Sequence, residues 1–373
     1  MPDSYLSINS GKPKNPSELN NGFNLTKAIL YGRTSLKIFI GGIIFLMIGR
    51  FLWNAGVDLY LAMNPPEPPP PTVGFGVLPP LILTPQDLTR PKTYVLETAN
   101  GSFSQFPDRA SVYYMPQAQQ GLLSADQAAV LARSLGFPTQ PEQLDQQTLR
   151  FKQVGVVNET LELNSVTHNL EYTTDYLARP ELQSSKALAT SFDAVTAAKG
   201  FFNRADLLPT DINGEGQTTF IKVIGGTLQE AVSLSDAQLL YVELSRNPIG
   251  EAKIKPIRSD GSASTLRALV GILNGGPRVI RAERDYFPID YAVTETYPIR
   301  TANQAWNALK AGEGIIASGT HGDSATIRNV ELRYFESESY QKYYQPVYVF
   351  TGDNNFIGIV PAISPEWTAS AAE

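Results

Sequence analysis

Thr301-Ala-Asn-Gln-Ala-Trp-Asn-Ala-Leu-Lys310 opens the stretch whose reading decides the fold. A hydroxyl at Thr301 with Gln304 three residues on is the signature of a capping box at a helix start. Ala305, Ala308 and Leu309 then share one apolar face, and Gly312 supplies a left-handed stop. Three runs with strand character follow: ATIRNVELRYF (325–335), QPVYVFTG (345–352) and NNFIGIVPAI (354–363). The last two are joined by Gly352-Asp-Asn-Asn355. A helix followed by antiparallel strands implies α+β layering, with the helix on one face of a sheet.

Two earlier windows open in the same way. Ser124-Ala-Asp-Gln-Ala leads into Ala128, Leu131 and Leu135, with Gln127 completing a capping box and Gly136 as the stop. Ser191-Phe-Asp-Ala-Val leads into Val195, Ala198 and Phe202. Each begins with an N-cap hydroxyl and places Asp or Asn near the positive helix end. TLRFKQV (148–154), TLELNSV (160–166) and HNLEYTT (168–174) read as a meander after the first. TTFIKVI (218–224), QLLYVEL (238–244), AKIKPIR (252–258) and, past the Asp260-Gly261 turn, STLRALVGIL (264–273) follow the second. A repeat of about 70–110 residues is far longer than a solenoid period and suggests duplicated units over 93–185, 186–295 and 296–373.

Working outward toward the N-terminus, Ile38 to Val57 reads IFIGGIIFLMIGRFLWNAGV, broken by one charge, Arg50. About 20 such residues span roughly 30 Å, the hydrocarbon thickness of a bilayer. Trp53 and Tyr60 suit an interfacial belt. Lys12, Lys14, Lys27, Arg33 and Lys37 precede the span against Asp3 and Glu18, which places the tail 1–36 in the cytoplasm and everything after residue 63 outside. The n-region is long and no A-x-A site follows the apolar run, so 37–63 reads as a signal anchor in the cell membrane. Arg50, Asn54 and Asp58 recur every four residues and form one polar stripe. The stripe marks either the emergence of the helix into the headgroups or a face that pairs with another membrane helix. Asn64-Pro-Pro-Glu-Pro-Pro-Pro-Pro71 and the prolines up to Pro91 read as an extracytoplasmic stalk over 64–92. Within it VGFGVLPPLIL (73–83) is too apolar for a plain linker and is expected to lie on the folded part or on a partner.

Composition narrows the chemistry. The chain of 373 residues is 42% hydrophobic, so it has apolar matter for a core. It has no cysteine and two histidines, His168 and His321, which excludes thiolate metal sites, disulfides and thiol nucleophiles. Of 30 basic and 36 acidic residues, 8 and 5 fall in 1–92, which leaves 22 and 31 beyond it, a net of −9. An acidic body argues against nucleic acid, which requires a basic footprint. No cofactor motif is found; Ser318-Gly-Thr-His-Gly-Asp-Ser324 reads as a polar turn rather than a catalytic triad. Asp211-Ile-Asn-Gly-Glu-Gly216 has the first half of a calcium loop, but Lys222 stands where a bidentate Glu is needed. Tyr340, Tyr343 and Tyr344 lie in a segment too polar for a strand and are expected to be partly exposed anchors for a protein or glycan partner.

With a cytoplasmic start, one anchor, a stalk and α+β units of this size, the chain resembles the YycH/YycI-like extracytoplasmic regulators, whose domains are related to the PepSY fold. The likeness is carried by Thr301 to Lys310, the glycine exit, Val330-Glu-Leu-Arg-Tyr-Phe335, Gln345-Pro-Val-Tyr-Val-Phe350 and Phe356-Ile-Gly-Ile-Val-Pro361. The resemblance implies binding to partner proteins, such as a sensor kinase or an envelope enzyme, without catalytic residues. The proline-rich stalk and the third unit depart from that pattern. The expectation is therefore a non-enzymatic regulator or scaffold of an envelope assembly, embedded in lipid through 38–57, with homo-oligomer formation left open. The alternative is an adhesive surface protein presenting a binding head, and an envelope hydrolase stands third.

Overall fold

The computed structural model describes residues 25–64, 69–179, 189–250, 252–319 and 322–369. It divides into two compact units, Met1–Pro70 and Pro71–Glu373.

The first unit carries helix α1 (Leu25–Met63), 39 residues and about 58 Å long at 1.5 Å per residue. It begins earlier than the anchor expected over 37–63 and ends with it, at Met63. No breaker interrupts the flanking residues until Asn64 precedes Pro65, where the α conformation is disfavoured. Asn64 closes the helix by donating its backbone N–H to Tyr60 O at 2.8 Å. The span Ile29–Met63 is long and apolar enough to cross a membrane, and none of its most apolar window is buried. Arg50, Asn54 and Asp58 are all exposed on it.

In the second unit the strands are β1 (Thr93–Leu96), β2 (Arg109–Tyr114), β3 (Glu142–Gln143), β4 (Thr148–Gln153), β5 (Glu159–Asn164) and β6 (Leu170–Thr174). There follow β7 (Gln217–Ile224), β8 (Thr227–Glu230), β9 (Leu239–Ser245), β10 (Pro256–Arg258), β11 (Ser264–Leu273) and β12 (Gly276–Arg284). The last are β13 (Asp290–Pro298), β14 (Ile315–Ser318), β15 (Ser324–Glu336), β16 (Tyr343–Tyr344), β17 (Pro346–Gly352) and β18 (Ile357–Pro361). Helices α2 (Ser124–Ser134), α3 (Ser191–Asn203) and α4 (Ala302–Ala311) complete the α+β fold.

A nine-stranded sheet runs in the order β3-β4-β5-β6-β12-β11-β9-β7-β8. Its alternation places Leu149, Phe151, Leu161, Leu163 and Val242 on one face, under Ala128 and Ala132 of α2 and Ala194, Ala198 and Phe202 of α3. The expected meander β4-β5-β6 is present, but β6 pairs onward with β12, Tyr172 facing Ala282. Strands β3–β6 of the expected unit 93–185 and β7–β9, β11 and β12 of 186–295 therefore share one sheet and one core. A three-stranded meander with one apolar face leaves an unpaired inner edge, and β12 satisfies it.

The other large sheet has the order β1-β15-β17-β18-β14, with β10 also on β15. β15 is 13 residues long, so β1 and β10 both fit in parallel along one of its sides, at Ser324 to Ile327 and at Tyr334 to Glu336. Ala305, Ala308 and Leu309 of α4 pack with Ile316, Phe350 and Val360. A three-stranded sheet, β13-β2-β16, joins the remaining pieces. Residues from all three expected units thus interleave in the second unit.

Helix starts differ in detail from the sequence reading. At α4 the capping box is present, Thr301 accepting from Gln304 N–H, and Gly312 ends the helix at φ 92°. At α3 the cap is Thr190, which accepts from Asp193 N–H, not Ser191. At α2 the N-cap is Leu123 and no side chain caps the helix; Ser124 lies inside the first turn and accepts instead from Gly121 N–H at 2.9 Å. Thr301→Ala is expected to cost about 1 kcal/mol through loss of the box, read as a lower thermal midpoint, whereas Ser191→Ala should change little.

Residues 72–92, expected as stalk, are a strap on the second unit. Val73 N–H donates to Thr296 O at 3.0 Å, and Leu78 forms a parallel bridge to Thr368. Phe75 stacks on Tyr343 at 4.8 Å between ring centroids, and Arg90 donates to Gly314 O at 2.9 Å. The apolar 73–83 segment thus lies on the folded part, as its composition predicts.

Candidate functional site

The predicted contact tyrosines are mostly enclosed, which corrects the expectation of an exposed anchor loop. Tyr344 is fully buried and Tyr343 nearly so; Tyr340 is half-buried and donates its hydroxyl to Met115 O at 2.9 Å. The surrounding polar sequence misled because its polar groups are themselves buried: Glu336, Ser337, Gln341 and Gln345. Polar residues go inside when they find partners there, and Glu336 does.

That partner is Arg246, just past the end of β9, whose side chain is wholly enclosed. Its guanidinium donates to Glu336, to Asp211 and to Phe287 O at 2.6 Å. Tyr344 adds a hydroxyl bond to Glu336 at 2.8 Å, and Tyr286 and Tyr291 donate to Asp211 at 3.1 and 2.8 Å. The Arg246 cation also sits 4.3 Å from the Tyr286 ring centre. Burial opposes its charge, but Glu336 and Asp211 outweigh burial and hold it well above the ordinary arginine value. Burial first, and Glu336 second, push the Tyr344 phenol up. All three guanidinium nitrogens are engaged, so the cluster is a structural pin joining β9, β15, β16 and the β12–β13 connection.

The same pin engages the first residue of the half calcium loop. The Asp211 carboxylate is spent on Arg246 and two phenols, and among the described residues no group of three or more His, Asp or Glu is placed to hold a metal. His321 lies outside the described residues; Asp323 forms a surface ion pair with Lys92 at 3.1 Å. His168 is half-buried, and burial, then Arg284, lowers its pKa.

Among the hollows formed by the described residues, two are larger than the rest described and of a size for small ligands. One, about 590 Å³, lies between the 101–108 loop and the start of α4. Its charges are self-neutralised: Asp108 pairs with Arg109 at 2.7 Å, and Arg300 with Glu313 at 2.6 Å. The other, about 570 Å³, lies between the end of α3 and the β11–β12 turn. Its apolar wall includes Leu135, Phe201 and Pro277, and its polar wall Tyr172, Glu159, Arg278 and Arg204. Arg278 is paired with Glu159, whose carboxylate is about nine-tenths buried. Burial first, then Glu159, push the Tyr172 phenol up to about 12, so it stays a neutral donor. Arg204 rests over the Phe201 ring at 5.5 Å, and no carboxylate among the described residues pairs with it. The hollow therefore keeps one uncompensated positive charge in a body that is acidic as a whole. Of these residues the sequence singled out only Leu135, as part of a helix stripe: they come from the ends of α2 and α3, β5, β6 and the start of β12, and the β6–β12 pairing helps bring them together.

No family model matches the chain, and no curated protein matches it. Among solved structures, an uncharacterized protein from Eubacterium rectale ATCC 33656 is similar over 69% of this chain and 84% of its own, at 13% identity and a TM-score of 0.31.

Proposed function

We propose that the protein is anchored in the cell membrane by α1 and works without catalysis, its acidic second unit outside the cytoplasm regulating or scaffolding an envelope assembly through binding. The observation that carries this reading is the Ile29–Met63 span, whose apolar window is entirely unburied. A helix apolar over so much of its surface suits a lipid surrounding. The basic flank before it and the acidic body after it favour a cytoplasmic start. The Arg50, Asn54 and Asp58 stripe supplies polar groups with which a partner membrane helix could pair. The order helix, then antiparallel strands over 301–361 is what suggests kinship with the YycH/YycI-like regulators. Packing of 72–83 onto the second unit leaves only 64–71 between helix and body, which weakens the adhesive reading with its long stalk.

Because the chain has no native cysteine, single cysteines report topology cleanly. A Val232→Cys protein, altered at a site that is 92% exposed, should react with an impermeant maleimide in intact cells. Ser7→Cys should react only after permeabilisation. The reverse pattern would overturn the orientation, and recovery of both proteins in the soluble fraction would overturn the anchor. Replacing 38–57 with an unrelated span should leave localisation intact but reduce crosslinking to membrane partners.

A further inference from the structure

We infer that the hollow between the end of α3 and the β11–β12 turn binds a small monoanionic carboxylate carrying an aromatic or apolar body. Its volume, about 570 Å³, lies in the range of small-molecule sites. The ligand class follows from its charges. Arg278 and Glu159 cancel, and Arg204 is left over, so the hollow is complementary to one negative charge. A phosphate monoester carries about −1.5 to −2 and would exceed that complement, whereas a carboxylate matches it and presents two coplanar oxygens to the guanidinium fork. Phe201, Leu135 and Pro277 offer an apolar wall to the rest of the ligand. The buried Tyr172, neutral because burial and Glu159 push its phenol up, offers a hydrogen-bond donor rather than a second anion. The other large hollow lacks this signature, since its one lining arginine, Arg300, is paired with Glu313 and its Asp108 with Arg109.

The inference concerns the second unit alone and stands on whichever side of a membrane that unit lies, so it and the anchor reading fail independently. The test is titration calorimetry on the detergent-solubilised full chain, with phenylacetate, inorganic phosphate and 2-phenylethanol as probes. Phenylacetate is expected to bind saturably with Kd below about 5 mM, the alcohol and phosphate at least tenfold more weakly. Arg204→Gln should lower phenylacetate affinity at least tenfold, with an unchanged thermal midpoint because Arg204 is exposed. Arg204→Lys, which keeps the charge but not the fork, should fall between. No saturable heat with phenylacetate, equal binding of the alcohol, or binding unchanged in Arg204→Gln would each overturn the assignment. Phosphate binding more tightly than phenylacetate would overturn the carboxylate class.

Discussion

Replacing Arg246 with methionine is expected to destabilise the second unit by about 3–5 kcal/mol, the usual cost of removing one partner from a buried ion pair. The side chain is wholly enclosed, and Glu336 beside it is 2% exposed. Without the guanidinium, the Glu336 carboxylate keeps only the Tyr344 hydroxyl, and Phe287 O loses its donor. For a body of about 300 residues this corresponds to a thermal midpoint lower by about 5–8 °C. A second substitution separates lost attraction from stranded charge. Glu336→Gln on the Arg246→Met background removes the unpaired anion and should recover part of the loss, whereas in the parent it should be destabilising. Near-UV circular dichroism of the four proteins completes the cycle. A loss under about 1 kcal/mol in Arg246→Met would show that the pin contributes little.

The pin also marks where the sequence could be read and where it could not. Signals that act within a few residues came through: the capping box at Thr301, the long apolar run of α1, and the β17–β18 hairpin around Asn354 and Asn355, both at positive φ. Periodicity located β4, β5, β6 and β9 because each has a buried and a more exposed face, whereas β11 is buried on both faces and was marked by its continuous apolar run. Pairing between distant strands left no such mark. Thr93 faces Ser324, and Arg281 faces Thr173, with nothing local to announce either. The division into three consecutive units rested on assuming that neighbours in sequence pair with each other, and β1, β10 and β12 do not obey that. Glu336 looked like surface because its cation lies 90 residues away. The hollow with Arg204 was invisible for the same reason: its chemistry exists only once β6 and β12 are side by side.

Leu78→Ala should cost about 2–4 kcal/mol, the range for truncating a buried leucine, although Leu78 lies in a stretch dense with proline. The residue is completely buried in the core that holds Tyr297, Ile363 and Tyr343. Its backbone is held on both sides: N–H to Trp367 O at 2.9 Å, and O accepting from Ala369 N–H at 2.8 Å. Gly76 O accepts the Tyr297 hydroxyl at 3.0 Å, and Pro79 O accepts from Gln345 at 3.1 Å, so the strap meets both β13 and the segment before β17. Proline suits such a role. It holds the chain extended, and an N–H that would otherwise need a partner at the surface of the core is absent. Val77, one residue earlier and 58% exposed, is the internal control: Val77→Ala should change stability by less than about 0.5 kcal/mol. Urea midpoints of the two variants decide between a strap and a spacer. In a spacer both substitutions would be neutral, whereas a strap makes only the one at Leu78 costly. Pro85→Gly, beyond the Leu78 bridge, gives a second reading, since added backbone freedom matters only where the chain is held.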